Sequence, residues 1–208
     1  MKSLVLTPKI IGVAALLFIA AGSLNANLVV NGGFETGTFS GWNLVDTSGL
    51  SNVGSDPLFA HSGTYHANLG TTQVPPGPSN IGSLSQNLAT TSGQLYTLSF
   101  WLANDVTTVP PKSLFTSFEV FWNNTSIFSL ISPPPFGYTN FAFPNLVATG
   151  PSTTLEFRYQ HDNDFWRLDD VTVNVPESGS AILMALPVFA LLGLLHLRLR
   201  SKPAAARS

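Results

Sequence analysis

Between Asn27 and Asn174 the chain repeatedly alternates apolar and polar residues with a period of two. Tyr96-Thr-Leu98-Ser-Phe100-Trp-Leu102, Phe118-Glu-Val120-Phe-Trp122 and Leu155-Glu-Phe157-Arg-Tyr159 carry the pattern, and Val171 and Val173 close it. Successive side chains of a strand point to opposite faces, so such runs fold as half-buried strands. No comparable segment shows the 3.6-residue period of a helix. Between the runs lie clusters of Gly, Pro, Asn and Ser, which mark turns. Asn123-Asn124 reads as a tight primed hairpin turn, because Asn tolerates positive φ. Pro75-Pro76-Gly77-Pro78 and Pro133-Pro134-Pro135 read as loops that no central strand contains. The pattern predicts an all-β domain over residues 27–174, with roughly eight to eleven strands packed as a two-sheet sandwich.

Charge narrows the partners. Charged residues are 10% of the 208, against roughly a quarter in an ordinary globular chain. The span 27–174 holds three basic residues, Lys112, Arg158 and Arg167, and ten acidic ones, so its net charge is −7. It lacks the basic footprint of a nucleic-acid-binding domain. The absence of cysteine excludes disulfides, thiolate catalysis and cysteine-ligated zinc.

The two ends read differently. Lys2 and Lys9 precede an apolar run from Ile10 to Ala21 and then Leu24-Asn25-Ala26, the layout of a cleaved signal peptide over residues 1–26. Near the other end, Ala181–Leu197 is almost wholly apolar and is followed by Arg198, Arg200 and Lys202. A helix over about 180–197 comes close to the thickness of the hydrocarbon core, and its flanking arginines snorkel to make up the difference. Basic residues just after a span place that side in the cytoplasm, and a cleaved signal places the preceding domain outside.

Val175-Pro176-Glu177-Ser178, the apolar helix and the basic tail over residues 198–208 together resemble the PEP-CTERM sorting signal. The usual motif has proline where this chain has Ser178. The resemblance implies an exported protein of a Gram-negative-type, exopolysaccharide-producing bacterium. It implies a membrane-anchored intermediate held in the inner membrane by the sorting tail of residues 175–208, an exosortase that removes the segment after Glu177, and a final place on the cell surface or in the extracellular matrix. A plain tail anchor is the alternative.

Three further stretches carry a second resemblance: Asn27-Leu-Val-Val-Asn-Gly-Gly-Phe-Glu35 with Phe39-Ser-Gly-Trp42, Ala60–Gly70, and Phe165-Trp-Arg-Leu-Asp-Asp-Val-Thr-Val173. In this order they resemble the jelly-roll carbohydrate-binding modules of the galactose-binding-like superfamily. In that fold the first and last strands are neighbours, which implies that Glu35 meets Asp169 or Asp170. Related modules hold a structural calcium ion in about this place. The resemblance therefore implies calcium between Glu35, Asp169 and Asp170, with carbonyls from around Gly33 and from the His61-Ser62-Gly63 turn. Alternation places Asp169 on the buried face with Val171 and Val173, ahead of Asp170. The alternative is an acidic turn in which Glu35 caps backbone amides and Asp169 bonds to Arg167 or to a backbone N–H.

The strand pattern also defines an outward face. With Leu98, Phe100, Val120, Trp122, Phe157 and Tyr159 inward, the residues Trp101, Glu119, Phe121, Glu156, Arg158 and Gln160 point out. Aromatic rings among amide, guanidinium and carboxylate suit a pyranose, whose C–H face stacks on a ring and whose hydroxyls take hydrogen bonds. This face is the candidate contact with extracellular polysaccharide. The alternatives are that another part of the chain covers Trp101 and Phe121, or that the domain is structural or adhesive and binds protein. An enzyme is not expected. Glu119 and Glu156 lack the cleft of a glycosidase pair, His61, His66 and His161 are scattered, with His161 in a loop, and the chain has no Gly-x-Ser-x-Gly elbow or phosphate loop.

Overall fold

The computed structural model describes residues 26–71, 81–104, 116–162 and 164–176. The signal-peptide stretch, the 75–78 loop, Lys112 and the sorting residues Glu177, Arg198, Arg200 and Lys202 lie outside the described residues. Within them there is no helix. Ten strands form two five-stranded antiparallel sheets. Sheet 1 has the order β1 (Asn43–Val45), β4 (Gly82–Ala89), β9 (Ser152–His161), β6 (Thr116–Trp122), β7 (Thr125–Ile131). Sheet 2 has the order β2 (Asn52–Gly54), β3 (His66–Leu69), β10 (Trp166–Asn174), β5 (Leu95–Asn104), β8 (Phe136–Val147).

The alternation seen in the sequence is the reason the two sheets stack. Leu98, Phe100 and Leu102 of sheet 2 are fully buried against Phe118, Val120, Leu155, Phe157 and Tyr159 of sheet 1. Phe100 meets Phe157 edge-on at 5.3 Å between centroids, and Phe118 packs on Trp166 at 5.3 Å. These aromatic contacts span the two layers, in the edge-on and tilted geometries that ring quadrupoles favour. Asn123 and Asn124 have φ of 49° and 64° and join β6 to β7, with Trp122 paired to Thr125. That is the primed turn whose twist matches its strands.

The first described segment ties both layers together. Leu28 N–H donates to Val173 C=O and Val171 N–H to Gly32 C=O, which lays residues 28–32 along the end of β10. Val30 exchanges two hydrogen bonds with the Gln86 amide of β4, reaching the other sheet. A side chain at Gly32 would run into the Val171 carbonyl, so the close approach requires glycine. His161 is the last residue of β9 and buried, and does not lie in a loop. Its Nδ1 accepts from Asp164 N–H, so its Nε2 carries the proton and donates to Asn104 Oδ1 at 3.0 Å.

Candidate functional site

Two places hold the residues that the sequence singled out. The first lies where the 28–35 segment, the 60–65 loop and β10 meet. Asp169 Oδ2 accepts the backbone N–H of His61 (2.9 Å) and of Ser62 (3.3 Å), and its Oδ1 accepts Asp170 N–H at 2.7 Å. Asp170 takes the Ser62 hydroxyl at 2.8 Å and the His61 imidazole Nδ1 at 2.6 Å. Glu35 Oε1 accepts the N–H groups of Thr64 and Tyr65, both at 3.0 Å. Gly33 faces this group: a side chain built there would meet Asp170 Oδ1 at 3.4 Å and Asp169 Oδ1 at 3.8 Å. Gly63, at φ +63°, sits so close to Glu35 that any side chain would strike the carboxylate. The structure thus brings Glu35, Gly33, Ser62, Asp169 and Asp170 together across more than a hundred residues of sequence.

Alternation misplaces Asp169. The register of β10 on β5 shifts between Asp169 and Thr172, and Asp170 has φ of 48°. This is a bulge, and a bulge reverses the inside–outside sequence beyond it. Asp169 pairs with Trp101 and shares the outer face of sheet 2, whereas Val171 and Val173 point into the core. Asp169 is nonetheless fully buried, because the 60–62 loop lies over it. Burial pushes its carboxyl up to about 6; the nearby Asp170 charge adds to this, and the three backbone N–H donors oppose it.

The turn at residues 61–63 presents N–H groups to the acidic residues, where carbonyl ligands were expected. Among the described residues, no three side chains of Asp, Glu or His come together as a metal-ligand set. The carboxylates offer hard oxygens, the type that calcium and magnesium take, and the one nitrogen in the group, His61 Nδ1, is held by Asp170 Oδ2. Asp169 Oδ1 and Asp170 Oδ1, the two oxygens nearest Gly33, each accept one hydrogen bond and keep a lone pair. The group fits a hard cation in donor chemistry, with main-chain or water oxygens needed to complete the shell.

The second place is the outer face of sheet 1. Glu119 of β6 pairs with Arg158 of β9, Phe121 with Glu156, and Ser117 with Gln160. The Arg158 guanidinium lies 4.1 Å from the centre of the Phe121 ring and donates to Glu156 at 3.0 Å. Glu156, first by that hydrogen bond and then by its charge, raises the Arg158 pKa, and Glu119 adds to it. Ser83 and Ser85 of β4 flank the pair on one side, and Ser129 of β7 donates to Glu119 on the other. The result is one ring and one cation between two carboxylates, bordered by small hydroxyls.

Trp101 does not belong to this face. Strand β5 is in sheet 2, so Trp101 points away on the opposite side of the sandwich from Glu119, Phe121, Glu156, Arg158 and Gln160. Period-two alternation says in or out; it cannot say which sheet is meant. Trp101 joins the acidic group instead, with the His61 ring stacked on it at 3.8 Å. The 55–62 loop also brings Phe59 over Arg167, 3.8 Å from ring centre to guanidinium, and Tyr138 OH donates to Phe59 C=O. The role of His61 as the link between Trp101 and Asp170 carried no signal in the sequence beyond its place in the Ala60–Gly70 stretch.

No family model matches the chain, and neither does any curated protein. Solved structures do match. The carbohydrate-binding module TmCBM61, solved with β-1,4-galactotriose, superposes with a TM-score of 0.54 at 19% identity, over 72% of this chain and 99% of that one. The fold is similar to that of a carbohydrate-binding module. The enzymatically active domain of bacteriophage CBA120 tailspike protein 4 also matches, with a TM-score of 0.52 at 15% identity, over 72% of this chain and 21% of that one. At such identities the likeness to a carbohydrate-binding module is one of architecture and assigns no ligand to any residue.

Proposed function

We propose that this chain is a non-catalytic, exported module of the galactose-binding-like type that associates with extracellular polysaccharide through the outer face of sheet 1. The observation that supports it is the Phe121–Arg158–Glu156 cluster on that face. An aromatic ring, a guanidinium, two carboxylates and the Gln160 amide stand within one cross-strand patch bordered by serines. Such a patch offers a sugar ring both an apolar surface and hydroxyl partners. Because Arg158 lies over Phe121, the ligand stacks on the guanidinium–ring pair or moves Arg158 aside. TmCBM61 was solved with a β-1,4-linked galactose trimer, which makes galactan a sensible first probe. No reaction is proposed: Glu156 is engaged by Arg158 at 3.0 Å.

The acidic group at Gly33 supports a structural role for calcium in the same reading. Asp169, Asp170 and Glu35 crowd negative charge into a partly buried place, and a hard divalent cation relieves it. The ion would be held by Asp169 Oδ1 and Asp170 Oδ1, with Glu35 beside them, and would tie the first strand region to the last. The sorting reading completes the proposal. The Val175-Pro176-Glu177 motif and basic tail direct the protein to the inner membrane, an exosortase removes the tail, and the sandwich is left at the cell surface or in the matrix.

The test is retention of the full chain, in detergent, on immobilised β-1,4-galactan and on bacterial exopolysaccharide, with calcium and with chelator. Retention that Phe121→Ala or Arg158→Ala removes, while the melting temperature holds, is the expected result. A folded protein retained by neither polysaccharide overturns the proposal.

A further inference from the structure

The chain enters and leaves the sandwich at one end. Strand β10 stops at Asn174, which pairs with Thr97, so Val175 and Pro176 leave beside Tyr96 and Leu95. Asn27 lies against the same stretch: its side-chain oxygen accepts Val173 N–H at 2.9 Å, and Leu28 N–H donates to Val173 C=O at 2.9 Å. Three turns share this end: 90–94 between β4 and β5, 123–124 between β6 and β7, and 148–151 between β8 and β9. They are bound to one another. Gly93 N–H donates to Ala148 C=O at 2.8 Å, Thr90 N–H to Pro151 C=O at 3.0 Å, and the Asn123 amide to the Thr149 hydroxyl at 2.8 Å. The described residues that flank 72–80 and 105–115, namely Thr71, Ile81, Asn104 and Thr116, all stand at the far end with His161 and Trp166. The near end is built from the three turns and the two chain exits.

Leu95 and Val147 face each other across β5 and β8 at this end, 39% and 49% exposed, and Val175 follows at 37%. Thr91, Ser92, Asn124 and Thr149 surround them with exposed hydroxyls and an amide. No charged side chain occurs in 26–31, 87–97, 122–127, 145–154 or 172–176, whereas Asp162 and Asp164 mark the far end. Membrane surfaces carry negative charge, so a net-negative domain approaches one most easily through an end without carboxylates. Chain length sets how near that end must stand. Four residues, 177–180, separate Pro176 from the apolar run that begins at Ala181, and fully extended they span at most about 18 Å. The nine residues of β10 put the far end about 30 Å further away. We infer that the near end is a bilayer contact, where the rim of Leu95, Val147 and Val175 rests in the headgroup layer of the membrane that holds residues 181–197, with the strands standing upright on it. The contact rests on the reading of 181–197 as a membrane segment and is independent of the polysaccharide reading.

Because the chain has no cysteine, single cysteines report the contact cleanly. The full chain is reconstituted into vesicles of phosphatidylcholine and phosphatidylglycerol, and its flotation with them is measured. Thr91→Cys at the near end and Gly137→Cys at the far end, where a β-carbon meets open space, each carry one fluorescent label. A nitroxide on the lipid headgroup is expected to quench the Thr91→Cys label about twofold and to leave the Gly137→Cys label unchanged. Adding Leu95→Glu with Val147→Glu to the Thr91→Cys chain removes most of that quenching while the urea midpoint holds; Val147→Glu alone takes their place if the pair lowers the midpoint. A chain that does not float with the vesicles overturns the membrane-segment reading and this contact with it. A chain that floats, yet is quenched equally at the two sites or is quenched undiminished in the glutamate variant, overturns the contact alone.

Discussion

The imidazole of His61 lies flat on the indole of Trp101, with centroids 3.8 Å apart and planes 15° from parallel. The same imidazole is hydrogen-bonded to Asp170 at 2.6 Å, and its own backbone N–H is held by Asp169. One residue thus fastens the 60–62 loop to β5 and to β10. Trp101 is a clamp for that loop and offers no bare platform to a ligand.

Trp101→Ala therefore acts on stability. Loss of a half-buried indole and its stacked partner is expected to cost about 2 kcal/mol, below the 3–5 kcal/mol of a fully buried tryptophan. Denaturant unfolding should show this, while retention on polysaccharide at a temperature where the variant is folded should equal that of the parent. Lost retention with unchanged stability would return Trp101 to the ligand site.

Burial of Asp169 sets the sign of a pH dependence expected of the metal-free protein. The Asp169 pKa is raised from 3.8 to about 6 by burial, so the folded state holds a proton that the unfolded state has lost. Its stabilising contribution is complete below pH 3.8 and fades as pH rises through 6, by about 3 kcal/mol at most. His66 acts in the opposite direction. Burial and then Arg167 lower its pKa below 6.5, so stability falls on the acid side as the unfolded state protonates first. Urea titrations in chelator between pH 4 and 7.5 should show the Asp169 loss, and Asp169→Asn should remove it.

Calcium should reverse that loss. If the oxygens around Gly33 bind the ion, its stabilisation grows as Asp169 deprotonates, and saturation at a hundred times the dissociation constant adds about 2.7 kcal/mol. A melting temperature that does not move between millimolar calcium and chelator at pH 7.5 counts against the ion.

Gly63→Ala is expected to destabilise by about 1–3 kcal/mol, since residue 63 has positive φ and a β-carbon there strikes Glu35. The thermal midpoint measures it. A neutral effect would mean that the 60–65 loop is free to move off Glu35.

Asn124→Gly should stabilise. The second position of this primed turn has φ of 64°, where glycine has no steric penalty, and the gain is expected to be a few tenths of a kcal/mol to about 0.5 kcal/mol. A shift in the urea midpoint with unchanged slope is the readout.

Much of this protein follows from local rules. Period-two alternation marked Leu98, Phe100, Val120, Trp122, Phe157 and Tyr159 as core, and all six are buried. Asn123-Asn124 announced its turn because few residues other than Gly and Asn accept positive φ at both positions. Such features depend on neighbours along the chain, and the sequence lists those neighbours. Three matters were decided only in the folded molecule. Trp101 and Phe121 look alike in sequence, yet they face opposite ways, because strand order, set by long-range pairing, assigns β5 to one sheet and β6 to the other. The bulge at Asp170 turned Asp169 outward, and no pattern of hydrophobicity encodes an extra residue in a ladder. The meeting of Glu35, Ser62 and Asp169 joins backbone amides and carboxylates from three distant stretches. Each lacks a complete set of partners in its own segment, and packing of the two sheets brings them within reach.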